Sequence, residues 1–291
     1  IDPLQKSVSL KSGTVLPFDS LIIATGAYPF IPPYEGSHKR VTALRTMDDA
    51  FRLRVFLNES KSVGIIGGGV LGLEAASMIA DSFRIPVHVI ENSPCILSKQ
   101  LDEASSGVVA SYLERKGIEI HCGTKLKALD ENGIVTDNGF IAADTVLFST
   151  GVRADKAIAD SSGIAAGRGI SVNEYLETAY DGIYAIGDVA EMNGQSFGLA
   201  VYAREMAAVV SDTIRGMRTA YIPSAPSAIL EIAGLSIASF GTFTGDRHSE
   251  ASGDSLKTYF VENGILRGAV IINDSSAIAA VKASIGKPFG I

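Results

Sequence analysis

The segment KSVGIIGGGVLGLEAASMIADSF, residues 61–83, constrains the fold more than any other part of the chain. A short apolar run, Val63 to Ile66, passes directly into Gly67, Gly69 and Gly72 in the spacing GxGxxG, and then into a helical apolar pattern that ends near Phe83. A strand that enters a helix through such a turn is the first half of a βαβ unit, and the next apolar run, residues 87–91, supplies the second strand at the usual interval of about 30 residues. Each glycine has its own reason. The first permits the tight turn, the second lets a pyrophosphate approach the backbone, and the third lets the helix pack closely on the sheet. The free N–H groups and positive dipole end of the helix would then face the phosphates. Such a turn alone can be merely structural, but Glu91 closes the following strand about 20 residues on, where a carboxylate accepts hydrogen bonds from an adenine-ribose diol. Gly67, Gly68, Gly69, Val70, Leu71, Gly72 and Glu91 are therefore the candidate dinucleotide site. Asn92, Ser93 and Pro94 follow Glu91, and the lack of an arginine for a 2′-phosphate favours NADH over NADPH.

This turn stands some sixty residues into the chain, and the segments on either side of it pair with each other in character. LIIATG (21–26) and GIYAIGD (182–188) are both apolar strands running into glycine. Before the first, SVSLKSGTVLPF reads as a hairpin around Ser12-Gly13. After it, TMDDAFRLRVFLNES has an acidic first turn and apolar residues at helical spacing. Beyond Glu91 a second helix, LDEASSGVVASYLERKG, leads to the strand IEIHC; three short strands, KLKALDE, GIVTDNG and DTVLFSTG, are expected to form a meander turning at Asn132-Gly133 and Asn138-Gly139. The helix LAVYAREMAAVVSDTIRG follows GIYAIGD. From about Tyr221, four strands (SAILEIAG, SIASFGTF, LKTYFVEN, ILRGAVIIND) and the helix AIAAVKASIG predict a small α+β domain.

Composition narrows the partners. The 291 residues are 46% hydrophobic, enough for two or three packed domains, and the net charge of −7 comes without any basic block interleaved with aromatics. Neither a nucleic acid nor an anionic membrane surface has a footprint here. Cys95 and Cys122 form no CxxC pair or zinc spacing, which points to a reducing, cytoplasmic compartment. No apolar run approaches the length of a membrane span. His38, His88, His121 and His248 form no close cluster in sequence, and no metal site is expected.

The order of these motifs, ATG, then GGGVLGLE, then STGVRAD, then TAYDGIYAIGDVAE, resembles the pyridine nucleotide-disulfide oxidoreductase superfamily, and within it the branch of NADH:rubredoxin reductases, NADH oxidases and nitrite reductase flavodomains. The resemblance implies an α/β fold in which a Rossmann-like NAD(P)-binding domain (46–151) is inserted into an FAD-binding domain (1–45 and 152–220), followed by a small C-terminal α+β domain (221–291). It implies FAD and NADH as cofactors. Ala24, Thr25 and Gly26 would carry the chain past the FAD; Gly151 would lie near the nicotinamide; Gly187 and Asp188 would meet the ribityl chain. Phe197, Gly198 and Leu199 would lead into a helix whose N-terminus faces the flavin. Glu74 matches a family glutamate that pairs with a lysine beside the flavin ring, and is the one candidate catalytic residue. The implied activity is hydride transfer from NADH to FAD, with electrons passed on to a protein or small-molecule acceptor such as rubredoxin.

Family members open with a further GxGxxG unit for the FAD adenylate, which nothing before Leu21 supplies, so the FAD-binding domain is expected to be incomplete at its N-terminus. A redox cysteine beside the flavin would belong to that segment. A disulfide reductase, or a nucleotide-binding flavoprotein that senses redox state without turnover, therefore stays open as an alternative, as does the oligomeric state.

Overall fold

A computed structural model describes residues 1–225 and 227–290. The elements that position the candidate residues are, in chain order, β1 (Leu21–Ile23), β2 (Val41–Ala43), α1 (Met47–Asn58), β3 (Val63–Ile66), α2 (Val70–Phe83), β4 (Val87–Ile90), α3 (Glu103–Arg115), β5 (Ile118–His121), β6 (Leu126–Asp130), β7 (Gly133–Thr136), β8 (Gly139–Ala142), β9 (Thr145–Phe148), β10 (Ile183–Ala185), α4 (Ala200–Ile214), β11 (Ser227–Ile232), β12 (Leu235–Gly241), β13 (Asp246–Ser252), β14 (Ser255–Glu262), β15 (Ile265–Ile272) and α5 (Ile278–Ser284). They fall into two compact units, one of residues 1–28 and 152–224, the other of residues 29–151 and 225–291.

In the first unit β1 pairs in parallel with β10, Ile23 opposite Ala185. The hairpin Ser7–Ser9/Val15–Pro17 lies N-terminal to them, as Ser12-Gly13 predicts. Ile23, Ile183, Ala185 and Val189 form one core with Met206 and Val210 of α4. β1 is less enclosed than its apolar sequence suggests: Ile22 keeps 43% of its surface exposed.

The second unit is built on a five-stranded parallel sheet, order β2-β9-β3-β4-β5. Alternation along β3 divides its faces. Val63 and Ile65 join Leu73, Ala76 and Ile79 of α2 and Val109 and Leu113 of α3 in one core. Ile66 joins Leu129 and Ile134 of the β6-β7-β8 meander in another. Gly64 is where that meander comes nearest, since a Cβ there would lie 2.2 Å from Ile134 Cδ1. The meander differs from the one expected in sequence. Its third strand is β8, whereas DTVLFSTG provides β9, which returns between β2 and β3. The burial of the two strands explains it: β9 is buried throughout, as a central parallel strand must be, while β8 is largely exposed.

The C-terminal strands form an antiparallel sheet, order β11-β12-β15-β14-β13. Ile232, Leu235, Ile237, Leu256 and Ile272 of this sheet share the core of α2 and α3. Tyr112 Oη donates to Ala233 O at 3.0 Å, and Arg115 and Arg247 pair with Asp254 and Asp102 at 2.8 and 3.1 Å. β13, DRHSEAS, was not among the strands expected from sequence. It is exposed along its whole length, so it shows no apolar alternation and is held by its ladder to β14.

Candidate functional site

The three glycines of the turn differ in what the protein itself requires of them. Gly67 sits at φ +116°, and a Cβ there would lie 2.3 Å from Ser149 O. Gly72, in the first turn of α2, would place a Cβ 2.1 Å from Gly67 O. Both are dictated by close backbone approach. Gly69 is not. It is the N-cap of α2 with φ −81° and ψ −179°, angles open to any residue, and a Cβ there meets nothing within 4 Å. No side chain caps α2, so its first N–H groups remain available beside that open space. Val70 is half-buried and Leu71 is exposed.

Glu91 is fixed at the next strand end. Its Oε2 accepts from Gly68 N at 2.7 Å and its Oε1 from Ser93 N at 2.6 Å. Glu91 N donates to His121 O at 2.9 Å, which ties the residue to β5. A carboxylate has about four acceptor positions, so two remain beyond these bonds. Ser149-Thr150-Gly151 runs past Gly67 at the end of β9; Gly151, at φ +89°, accepts from Phe30 N at 2.9 Å, and Thr150 Oγ1 donates to Phe30 O. Glu74 lies half-buried in the second turn of α2. An open approach at Gly69, an uncapped helix end and an anchored carboxylate fit the diphosphate and adenine ribose of NADH.

The residues expected at the flavin come together in the first unit. β1 and β10 are parallel neighbours, so Ala24-Thr25-Gly26 and Gly187-Asp188 leave the same edge of the sheet, and Ile186 N donates to Ile23 O at 3.1 Å. Thr25 Oγ1 donates to Asp155 O at 2.5 Å, and Asp155 N to Gly26 O at 2.8 Å. Gly187 takes φ +72°; a Cβ there would lie 3.5 Å from Ala203 Cβ of α4. Asp188 is half-buried in the 3₁₀ turn Gly187–Val189. Gly198 and Leu199 are exposed at the start of α4, whose N-cap, Leu199, offers no side-chain cap. Phe197 is different, for its ring is buried edge-on against Tyr202 and Tyr221 at 5.6 and 5.8 Å. It anchors the loop. The carboxyl ends of two parallel strands, with a carboxylate and a helix N-terminus that no side chain caps, fit FAD.

Residues 1–207 match the family described as pyridine nucleotide-disulphide oxidoreductase. The chain belongs to that family. Among its relatives in the family, the nitrite reductase (NADH) large subunit of Escherichia coli (strain K12) is 30% identical over 299 residues, covering 95% of this chain and 35% of that protein. The NADH-rubredoxin oxidoreductase of Clostridium acetobutylicum is 31% identical over 279 residues, covering 93% of this chain and 70% of that protein. The crystal structure of NADH:rubredoxin oxidoreductase from Clostridium acetobutylicum superimposes with a TM-score of 0.80 at 28% identity, over 100% of this chain and 76% of that one. The chain thus spans about a third of the length of the nitrite reductase it matches. Membership agrees with the α/β fold expected from the motif order and implies FAD and NADH as cofactors. No helix among the described residues is long and apolar enough to cross a membrane.

Two groups of side chains take on a different meaning in three dimensions. Cys95 and Cys122 are unpaired and half-buried, and burial, followed by the charge of Glu91, pushes the Cys122 thiol above its ordinary value. It is a poor nucleophile. His88 and His121, far apart in sequence, meet with Glu119 on one face of the β4-β5 pair. Burial, followed by the neighbouring His88, lowers the His121 imidazole. The signal for this meeting was the alternation of each strand, readable only once their register was known.

Proposed function

We propose that the chain is the nucleotide- and flavin-binding part of an NADH-dependent flavoprotein oxidoreductase that delivers electrons to a protein carrier of the rubredoxin or ferredoxin kind. Gly69 carries this reading. Neither backbone angle nor packing requires a glycine there, so the residue is explained by a ligand that approaches the backbone more closely than a side chain would permit. Together, NADH and FAD supply hydride transfer and onward electron passage. The chain binds and orients. The α2 N-terminus and Gly67-Gly68-Gly69 hold the diphosphate, with Val70, Leu71 and Gly72 opening the helix behind it. Glu91 accepts from the ribose hydroxyls and repels a 2′-phosphate, which makes NADH the preferred nucleotide. Gly151 lines the nicotinamide side, and Glu74 is a positioning residue on α2.

On the flavin side, Ala24, Thr25 and Gly26 pass the cofactor, Asp188 accepts from the ribityl hydroxyls beside Gly187, and the α4 N-terminus with Gly198, Leu199 and the Phe197 backbone faces the ring. This reading takes residues 46–151 as the NAD-binding domain, 1–45 and 152–220 as FAD-binding, and 221–291 as a small α+β domain. Support for a protein carrier comes from relatives named for rubredoxin and for a ferredoxin–NAD⁺ reductase component. Titration of the purified protein with NADH and NADPH by calorimetry tests the nucleotide half: NADH should bind at least about tenfold more tightly, a difference of about 1.4 kcal/mol. Equal affinities would overturn the role of Glu91.

A further inference from the structure

The geometry points to a divalent zinc-class metal site on the edge of the parallel sheet, formed by His88 Nδ1, Glu119 Oε2 and His121 Nε2. The register places it there: His88 of β4 lies opposite Glu119 of β5, and Ile90 opposite His121. Residues 88 and 90 share one face, as do 119 and 121, so the three polar side chains project together on the meander side of the sheet. His88 Nδ1 is 3.2 Å from Glu119 Oε2, His121 Nε2 is 3.4 Å from His88 Nδ1, and His121 Nε2 is 3.8 Å from Glu119 Oε2.

Those three distances form a triangle of the size a metal would impose. Zinc bonds of about 2.0–2.1 Å to nitrogen and oxygen, directed tetrahedrally, set neighbouring ligand atoms about 3.3 Å apart. Three lone-pair-bearing atoms this close repel one another unless a proton or a cation lies among them. Two imidazole nitrogens and one carboxylate are a borderline ligand set suited to zinc rather than to magnesium or calcium, which favour oxygen. The histidines are mostly buried, with 17% and 31% of their side chains exposed, while Glu119 is 66% exposed. The fourth position therefore opens to solvent on the Glu119 side.

The site would brace the nucleotide half without touching the nucleotide. Glu91 follows His88 and Ile90 at the end of β4, and its N–H is held by His121 O. A metal joining β4 to β5 clamps that same strand pair.

The test is Zn²⁺ titration of the chelator-treated, purified protein by calorimetry, with Co²⁺ as a spectroscopic stand-in. Wild type should bind one equivalent, its Co²⁺ form should show the intense visible bands of four-coordination, and its melting midpoint should rise with Zn²⁺, as binding to the folded state alone requires. Replacing a ligand should cost at least the roughly 10–100-fold caused by loss of an outer-shell partner. Glu119→Gln is the mildest probe because the side chain is exposed; His121→Ala is the stronger one, with circular dichroism to confirm folding. NADH affinity measured in Glu119→Gln without metal should be unchanged. The absence of saturable one-equivalent binding in wild type, or Zn²⁺ affinity unaltered in both Glu119→Gln and folded His121→Ala, would overturn the site.

Discussion

The nucleotide half and the flavin half use the same local grammar, an apolar strand that ends in glycine before a helix or turn, yet they are enclosed very differently. β3 has parallel partners on both sides and is buried at all four positions. β1, among the described residues, has a partner on one side only, and Ile22 is left 43% exposed. The nucleotide candidates Gly67 to Gly72 and Glu91 lie within one βαβ unit. The flavin candidates come from three stretches, 24–26, 187–188 and 197–199; the first two meet through a strand pairing that joins Ile23 to Ala185, and α4, which follows the third, packs on Gly187 through Ala203. The diphosphate and ribose part of the first site is thus a property of a short piece of sequence. The second is a property of the fold.

The largest effect should separate the two kinds of glycine in the nucleotide half. Gly72→Ala drives a Cβ into Gly67 O, a backbone clash that no rotamer relieves, and should destabilise the protein by about 3 kcal/mol or more. Gly69→Ala should leave stability within about 0.5 kcal/mol while weakening NADH by about tenfold or more. Chemical denaturation and calorimetry on the same two variants measure both quantities. Unchanged NADH binding in Gly69→Ala would break the proposed site, because it would show the open space over that residue to be empty of function.

A somewhat smaller effect should appear in the flavin half. Asp188→Ala removes a charged acceptor worth about 1.5–3 kcal/mol, or roughly tenfold or more in affinity. Flavin content measured by absorbance should fall while NADH affinity stays constant. A fall in both would mean that the two halves are not separable in the way their cores suggest.

The contrast between halves is also a contrast in what sequence could reveal. The glycine turn, α2, β4 and Glu91 were legible because each follows from neighbours in the chain. The placement of β9 was not, since Asn138-Gly139 signals a turn without saying which of the two following strands belongs to the meander; burial on both faces decided it. β13 was invisible because an exposed edge strand carries no apolar period. The meeting of His88, Glu119 and His121 depends on the register between β4 and β5, and so does the sharing of a core between the C-terminal sheet and α2 and α3. Phe197 shows the converse, a residue expected near a ligand whose ring the fold spends on packing.

Glu91→Gln should have a narrower effect. Its amide can keep one of the two backbone donors, Gly68 N or Ser93 N, while removing the negative charge. Discrimination against NADPH should therefore shrink by about 1 kcal/mol or more, a hydrogen bond to a charged group being worth about 1.5–3, with the melting point little changed. Undiminished preference for NADH would place the selectivity elsewhere.

The smallest effect belongs to the helix that precedes the glycine turn. α2 and α4 open without side-chain caps, whereas α1 begins with a full capping box: Asp49 N donates to Thr46 Oγ1 at 3.2 Å, and Thr46 N donates to Asp49 Oδ2 at 2.9 Å. A helix end whose N–H groups are already met by its own capping side chains should matter to stability alone. Thr46→Ala should cost about 1 kcal/mol and leave NADH affinity unchanged. The cost should also depend on acid. The Thr46 backbone N–H, and then its hydroxyl, hold the Asp49 carboxyl below its ordinary value of 3.8. A carboxyl lowered by folding stabilises fully above that ordinary value and loses its contribution as pH falls through the lower folded one. Alanine keeps the backbone N–H and removes only the hydroxyl's share, so the difference in unfolding free energy between wild type and Thr46→Ala should be constant near neutrality and shrink by that share alone below pH 3.8. A difference that persists unchanged in acid would show that Thr46 acts without Asp49, and a loss of NADH binding in Thr46→Ala would show that the capped helix, too, serves the site.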